Sequence, residues 1–296
     1  MHRFEYVRPD TVQEATAFLE TNHEDSLVLA GGTAVIAMLS QGILRPRYVV
    51  DIGGLPGLKG FRRENGSFRI GALTPIAMLH QDPFAPDLLA EAASQVASIR
   101  VRNVATVGGS VCYGEPQTDL PPALVAMGAR AHVEGARGER WMDLGDFFLG
   151  PYETALKPGE LLTELEVPVP QPDPRSGGEG TGRSGGCHMK FTVGSLANKP
   201  IANASCLVQL EGQLVRDARI VLGAVGPIPM TAREAAALLI GRRPDEKGIA
   251  AAAAKAADES DPVEDLRGPE WYKRRMVKVL TERAIKCALR RAATAS

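Results

Sequence analysis

Two pairs of adjacent glycines in the N-terminal half of this chain have the residue types needed to hold an anion. They lie in residues 30–34, which read AGGTA, and in residues 106–110, which read TVGGS. Glycine has no Cβ, so main-chain N–H groups at such a bend can approach phosphate oxygens closely, and the neighbouring threonine can donate a further hydrogen bond. Either pair alone is explained more simply as a tight turn. Two matched pairs in one half-chain predict two loops that grip a single diphosphate from both sides.

One carboxylate follows the second glycine pair. Asp119 stands just before Pro121 and Pro122, which suit the first turn of a helix. An ionised carboxylate can accept hydrogen bonds from two sugar-like hydroxyls. Asp119 can equally be a turn former or the N-cap of the helix that the prolines begin, and on the residues alone both interpretations stay open.

The other residue types that do chemistry indicate no metal centre. The five histidines lack paired metal-ligand spacing, and the four cysteines lie too far apart for a zinc ribbon or an iron–sulfur cluster. We interpret the cysteines as reduced, mostly buried thiols. Residues 177–184, which read GGEGTGRS, come close to a nucleotide-binding P-loop, but Arg183 stands where the lysine belongs and the flanking residues do not fit. We interpret that match as accidental.

Length, charge and hydropathy exclude several classes of protein. At 296 residues the chain exceeds the ceiling of roughly 250 residues for one hydrophobic core, which predicts two or three domains. Its 34 basic and 35 acidic side chains nearly cancel, so no general attraction to nucleic acid or to an anionic membrane is expected. No apolar run reaches the ~18 residues of a membrane span, and the N-terminus lacks the pattern of a signal peptide. We therefore expect a cytoplasmic protein.

Periodicity predicts two regions separated by a loop. In the first, strands and helices alternate, and both glycine pairs follow strand-like runs, at residues 27–29 and at the start of ATVGGSV (105–111). Residues 171–186 are rich in proline, glycine and serine and predict a mobile loop. After the loop come three antiparallel strands and then helices, the first of which has Thr231 as its expected N-cap.

Six segments resemble, in the right order, the flavoprotein or medium subunit of molybdenum hydroxylases, the family of xanthine dehydrogenase and aerobic carbon monoxide dehydrogenase. The most specific is IRVRNVATVGGSVCYGEPQTDLPPALVAMGA at 99–129. The others are LAGGTAVIAMLSQG, IGALTPIAML, GELLTELEVP, MKF and WYKRRMVKVLTERAI.

The resemblance implies an α+β chain with the two-subdomain FAD-binding fold of the vanillyl-alcohol oxidase (PCMH) type. A small C-terminal α+β domain, a three-stranded antiparallel sheet with helices, follows. The implied limits are 1–55 and 56–172 for the FAD-binding subdomains, 173–188 for a flexible glycine-rich loop, and 189–296 for the C-terminal domain.

The resemblance also implies which residues bind the cofactor. The first pyrophosphate loop would be Ala30, Gly31, Gly32, Thr33 and Ala34, and the second Thr106, Val107, Gly108, Gly109 and Ser110. Asp119 would lie near the ribityl side of the flavin, and Leu162 and Lys190 would line the flavin. Without the resemblance, Lys190 would be interpreted as a solvated lysine of an edge strand.

Three departures from the family's pattern bear on affinity. Ala34 stands where relatives often have a polar residue, and Ser110 stands where asparagine is common. Relatives also commonly have an arginine a few residues beyond the position of Lys190, and this chain has none before Lys199. Each lost hydrogen bond is worth about 0.5–1.5 kcal/mol, so FAD affinity can be lower than in relatives.

The function implied is electron transfer through noncovalent FAD, with no catalytic residue on this chain. A large molybdopterin subunit would oxidise the substrate, and a small subunit with two [2Fe-2S] clusters would pass electrons singly to this chain's FAD. An external acceptor, NAD, a quinone or oxygen, would then be reduced, by an assembly that is a dimer of heterotrimers. Two alternatives stay open: a stand-alone FAD-dependent oxidoreductase of the same fold, and a scaffold subunit that has lost the flavin.

Overall fold

The computed structural model describes residues 2–168 and 183–294, and all structural statements below refer to these. The N-terminal subdomain is a three-stranded parallel sheet in the order β1-β3-β2, flanked by two helices. Thr11 begins the first helix by accepting a hydrogen bond from the N–H of Glu14. The elements are β1 (Glu5–Val7), α1 (Val12–Asn22), β2 (Ser26–Leu29), α2 (Val35–Ser40) and β3 (Tyr48–Asp51).

The second subdomain is a five-stranded antiparallel sheet in the order β4-β5-β10-β6-β7. Its strands are β4 (Phe61–Glu64), β5 (Ser67–Gly71), β6 (Arg130–Gly135), β7 (Gly138–Asp143) and β10 (Leu161–Pro168). Its helices are α3 (Ile76–Gln81), α4 (Asp87–Gln95), α5 (Ile99–Arg102), α6 (Val107–Cys112) and α7 (Leu120–Ala126), and a small hairpin, β8 (Phe148–Gly150) with β9 (Glu153–Thr154), lies beside them. Alternate strand residues such as Ile70 and Leu165 pack with helix residues such as Leu89 and Leu124 in one buried core.

The C-terminal domain is an antiparallel sheet in the order β11-β12-β13-β14, covered by three helices. Small residues on α9, such as Ala252 and Ala256, are fully buried against the sheet and α10. The elements are β11 (Arg183–Phe191), β12 (Ala202–Glu211), β13 (Leu214–Gly223), β14 (Met230–Thr231), α8 (Arg233–Ala237), α9 (Glu246–Glu259) and α10 (Glu270–Thr294).

The predicted α+β architecture is confirmed, with one strand more than expected. The fourth strand of the C-terminal sheet, β14, contains Thr231, which pairs with Val221. Thr231 therefore does not cap the following helix, whose N-cap is Ala232. The implied limits of the two FAD-binding subdomains, 1–55 and 56–172, stay predictions.

The predicted loop at 173–188 is wrong in its last part. Residues 173–182, and with them most of the P-loop-like stretch, lie outside the described residues, but β11 begins at Arg183. Gly185 and Gly186 belong to this strand because helices approach it closely on both sides. A Cβ at Gly186 would stand 2.7 Å from the Leu88 Cβ of α4, and one at Gly185 would overlap the carbonyl oxygen of Ala288 in α10.

The strand-like run predicted before the second glycine pair is also wrong. Thr106 is the N-cap of α6, and Gly108 and Gly109 lie in the first turn of that helix. Gly108 is needed for packing, because a Cβ there would stand 2.6 Å from the Cβ of Ala72. The first glycine pair, in contrast, follows β2 as predicted.

Candidate functional site

The first glycine loop offers unpaired main-chain donors. It joins β2 to α2, and Gly32 adopts a left-handed conformation with φ of 72°. Among the described residues, the N–H groups of 31–34 have no hydrogen-bond acceptor. Such donors, gathered at a bend before a helix, make a concave surface of positive partial charge. The loop is therefore suited to an anionic group.

The two glycine segments lie side by side. A Cβ at Gly31 would overlap the carbonyl oxygen of Val104 and would stand 3.0 Å from the Cα of Ala105. These residues immediately precede Thr106 and the second glycine pair. Only a glycine at position 31 allows the first loop to close against this part of the chain.

In the second segment, the N–H groups of 107–110 all have an acceptor among the described residues. Gly109, for example, donates its N–H to Oγ1 of Thr106 at 3.0 Å, as expected at a capped helix start. The other main-chain N–H groups donate to carbonyl oxygens: that of Val107 to Thr74 (2.9 Å), that of Gly108 to Ala72 (2.8 Å) and that of Ser110 to Thr106 (2.9 Å). The expectation that both pairs present bare amides is thus wrong for the second. Gly109 is exposed, and the only atoms near its ideal Cβ position, within 4 Å, belong to Thr106. What Gly109 can offer a ligand is therefore an open surface beside the helix.

Asp119 faces the C-terminal domain. It occupies the N-cap position of α7, but its side chain makes no capping bond, and it is 3% exposed. Its Oδ2 accepts a hydrogen bond from Nζ of Lys190 at 2.8 Å, and its Oδ1 lies 3.3 Å from Nδ2 of Asn203 and 3.5 Å from Nε2 of His188. Neither neighbour of Oδ1 is at the distance of a strong hydrogen bond, so this oxygen retains accepting capacity.

Lys190 is buried although it lies on an edge strand. Its side chain is 1% exposed, and besides Asp119 it donates to the carbonyl oxygens of Gln95 (2.8 Å) and Leu196 (3.1 Å). Three acceptors use the full donor capacity of an ammonium group. The alternative interpretation of Lys190 as a solvated lysine is therefore wrong.

Leu162 lies in the core of the second subdomain, 4% exposed. Its neighbour Thr163 accepts a hydrogen bond from the N–H of Ala72 at 2.9 Å, and Ala72 in turn accepts one from Gly108. Leu162 is thus one residue away from the hydrogen-bonded connection that fixes α6.

A short stretch, residues 114–119, joins α6 to α7 and is bonded to the C-terminal domain along most of its length; we call it the seam segment. Glu115 pairs with Lys199, and the carbonyl of Pro116 accepts the N–H of Ala224 at 3.0 Å. Further along, Gln117 bonds Arg267 and Asp265, the Thr118 carbonyl accepts Nδ2 of Asn203 at 2.7 Å, and Asp119 holds Lys190. This segment couples the glycine helix to the C-terminal domain.

Two residues beside the seam segment have strained backbones. Tyr152 and Ala224 have φ of 61° and 64°, and Tyr152 donates its N–H to the Gly114 carbonyl at 2.8 Å. The Tyr152 hydroxyl also donates to Glu115 Oε2 at 2.8 Å. Burial, and then this bond to a carboxylate, raises the pKa of Tyr152 well above its ordinary value.

Sequence reasoning missed three polar residues here: His188 and Asn203, which lie beside Asp119, and Ser205, which lies beside His188. Asn203 and Ser205 are fully buried and His188 is 2% exposed. The available signal is two polar residues inside the apolar strand IANASCLVQL, where a hydrophobic pattern predicts apolar side chains.

The cysteines are free, and Cys187, Cys206 and Cys287 are buried. Burial raises the pKa of the Cys206 thiol to about 12, which makes it unreactive. In the described parts of the chain, no three His, Cys, Asp or Glu side chains are grouped as a metal site. None of the described helices is long and apolar enough to cross a membrane.

Two family models match most of the chain between them. The model of the FAD binding domain in molybdopterin dehydrogenase matches residues 2–170. The model of the CO dehydrogenase flavoprotein C-terminal domain matches residues 197–288. The chain thus has an FAD-binding domain and the C-terminal domain that its sequence implied.

Relatives match over their whole length. The carbon monoxide dehydrogenase medium chain of Hydrogenophaga pseudoflava is 33% identical, covering 98% of this chain and 99% of its own. The glyceraldehyde dehydrogenase medium chain of Sulfolobus acidocaldarius is 32% identical, covering 96% and 97%. In a solved structure of the Hydrogenophaga pseudoflava carbon monoxide dehydrogenase, a chain with 33% identity matches with a TM-score of 0.91 over 98% of both chains. Together with the glycine loop and the two-subdomain fold, these matches show that the chain belongs to the FAD-binding flavoprotein subunits of the molybdenum hydroxylase family, which includes the carbon monoxide and xanthine dehydrogenases.

Proposed function

We propose that the first glycine loop, residues 30–34, holds the diphosphate of a noncovalently bound FAD. The observation that carries the proposal is the set of unpaired N–H groups at 31–34, in a loop that closes against Val104 and Ala105. This arrangement fits a diphosphate, because amides without an internal acceptor gain hydrogen bonds from an anion and lose none. The exposed hydroxyl of Thr33 lies in the same loop.

The second segment, residues 106–110, would serve as a close-approach surface. Gly109 leaves room for a ligand beside α6, and the partly exposed Ser110 follows it. Ala34 and Ser110 offer fewer side-chain donors than the residues common in relatives. Among the described residues, the four successive N–H groups of 31–34 are unpaired, whereas those of 107–110 are bonded within the chain. We therefore expect the first loop to contribute most of the diphosphate affinity.

Asp119, Lys190 and Leu162 would form the flavin end of the site. Oδ1 of Asp119 has the spare capacity to accept a ribityl hydroxyl. The Lys190 ammonium is fixed by three acceptors, so its positive charge has a defined position from which it can stabilise negative charge on a reduced ring. Leu162, which is 4% exposed, would support this end of the site from within the core.

We further propose that the chain is the electron-transfer subunit of a complex. The chemistry that bound FAD supplies is the exchange of single electrons for electron pairs. The chain's own residues bind and orient the cofactor and need no acid–base step. The partners would be a large molybdopterin subunit and a small [2Fe-2S] subunit in a dimer of heterotrimers, with NAD, a quinone or oxygen as the final acceptor. The full-length similarity to medium chains supports this assembly, and the cytoplasmic location stays a prediction.

Purification of the native complex tests this function. The expected result is a flavin absorption band together with two co-purifying subunits, and FAD that is released by denaturation without proteolysis. An active single chain with flavin would favour the stand-alone oxidoreductase. A complex in which this chain is colourless and takes up no added FAD would favour the scaffold and contradict the proposal.

A further inference from the structure

A buried histidine that no step above uses faces Asp119. The side chain of His188 is completely buried, and its Nδ1 lies 2.8 Å from Oγ of Ser205. Its Nε2 lies 3.5 Å from Oδ1 of Asp119 and has no hydrogen-bond partner among the described residues. We call Asp119, Lys190, His188, Asn203 and Ser205 the Asp119 cluster. An unpaired ring nitrogen directed at a carboxylate in a fully buried cluster calls for an explanation.

The geometry decides which ring nitrogen carries the proton. A bare Nε2 would direct its lone pair at the anionic Oδ1 of Asp119, which is repulsive. With the proton on Nε2, the N–H points at the carboxylate, and Nδ1 is free to accept the hydroxyl proton of Ser205. Ser205 can both donate and accept, so it adapts to the tautomer that the carboxylate favours.

The charges around the ring are already balanced. Lys190 neutralises Asp119, and Arg291 neutralises Glu91, whose Oε2 accepts the main-chain N–H of His188 at 3.0 Å. Both carboxylates beside the ring therefore already have a cation of their own.

We propose that His188, held by Ser205 as the Nε2–H tautomer, is a positioning residue for Asp119. Its Nε2–H lies 3.5 Å from Oδ1, to which Nδ2 of Asn203 donates at 3.3 Å, while Lys190 holds Oδ2. Together these groups restrict rotation of the carboxylate and leave Oδ1 able to accept a further hydrogen bond. This fixes both the hydroxyl-accepting oxygen and the cation at the flavin end of the site. The proposal rests on the proposed FAD site, but the tautomer itself can be measured without FAD.

The first test is nitrogen-15 NMR of the histidine rings in the FAD-free protein at pH 8. The His188 signals are identified by their loss in His188→Gln. The expected result is a protonated Nε2 and an unprotonated Nδ1. A ring protonated on Nδ1 alone, or on both nitrogens, overturns the proposal whether or not the chain binds FAD.

The second test compares Ser205→Ala with Thr281→Val. Each variant removes one buried hydroxyl from the C-terminal domain, and that of Thr281 has no partner among the described residues. Ser205→Ala is expected to weaken FAD binding about tenfold, the size of one lost hydrogen bond, and to make the midpoint potential of bound FAD more negative. Thr281→Val should leave both unchanged.

The outcomes separate the two proposals. If the parent protein binds no FAD, the proposed function fails while the tautomer can still be found. If FAD binds but Ser205→Ala behaves like Thr281→Val in affinity and potential, the positioning role of His188 is overturned and the FAD site stands.

Discussion

Gly31 is the residue at which the first loop meets the chain that precedes the second glycine pair. Its missing side chain is required by a main-chain carbonyl, that of Val104, rather than by a flexible side chain. A rigid neighbour of this kind cannot move aside, so any Cβ must displace the loop itself.

We expect Gly31→Ala to lower FAD affinity about tenfold or more and to lower the free energy of unfolding by about 1–3 kcal/mol. Isothermal titration with FAD and urea unfolding measure the two effects. The matched control is Gly145→Ala, because a Cβ there meets only Cγ1 of Val125 at 3.9 Å, an ordinary contact. Equal behaviour of the two variants would contradict the close approach of the loops.

The Asp119 and Lys190 pair couples the second subdomain to the C-terminal domain through two nearly inaccessible charges. We expect Asp119→Asn and Lys190→Met each to lower the free energy of unfolding of the FAD-free protein by about 3–5 kcal/mol, because each leaves its partner buried and unpaired. The double variant should lose clearly less than the sum, since no lone charge remains. Urea unfolding of all four proteins measures this coupling, and strictly additive losses would contradict it.

At the scale of elements, Glu91 connects α4 to both β11 and α10. It accepts the main-chain N–H of His188 at 3.0 Å and pairs with Arg291, which also donates to the Gly186 carbonyl at 2.7 Å. Burial opposes ionisation of Glu91, but the hydrogen bonds from Arg291 and His188 outweigh it and hold the pKa of this carboxyl below its usual range.

This shift predicts an acid-dependent loss of stability. A lowered folded-state pKa contributes stability that is complete above the unfolded value of 4.5 and is lost as the pH falls below it. The urea midpoint of the parent protein should therefore fall more steeply between about pH 5 and pH 3 than that of Glu91→Gln. The two curves should converge at the acid end, and parallel curves would show that Glu91 contributes nothing to this pH dependence.

Elements with a clear period were predictable, and elements set by close packing were not. APDLLAEAASQVAS (85–98) has a helical period and GIAAAAAKAADES (248–260) has high helix propensity, both of which are local properties, and α4 and α9 form at these stretches. The start of β11 and the helical state of Gly108 depend on Leu88, Ala288 and Ala72, which are distant in sequence. Glycine indicated a mobile loop at 185–186 and a bend after a strand at 108, whereas in both places it permits close packing.

The candidate site divides in the same way. The glycines of the first loop and the lone Asp119 were visible because their residue types are unusual for their positions. The partners of Asp119 come from β11 and β12, more than 60 residues further along the chain, and no local pattern connects them. The bonding of the second segment's amides could not be foreseen either, because their acceptors include Ala72 and Thr74.

At the scale of the whole molecule, the seam segment ties the FAD-binding region to the C-terminal domain by hydrogen bonds from both its main chain and its side chains. The two tryptophans report on the two sides, since Trp141 lies in β7 and Trp271 in α10. Domains linked by so many specific bonds are expected to unfold as one unit.

We expect the single-tryptophan variants Trp141→Phe and Trp271→Phe to give coincident urea transitions by fluorescence. Adding Gln117→Ala, which removes the bonds to Arg267 and Asp265, should separate the two midpoints. Transitions that are already separate in the single-tryptophan variants would contradict the coupling role of the seam segment.

The unequal state of the two glycine segments has a consequence for the ligand-free protein. Amide hydrogens at 107–110 are engaged in internal bonds, whereas those at 31–34 have no acceptor in the described chain. In deuterium oxide the first set should exchange slowly and the second almost at once. Added FAD should slow only the second set, so that the cofactor completes the hydrogen bonding of a loop that the polypeptide alone leaves to water.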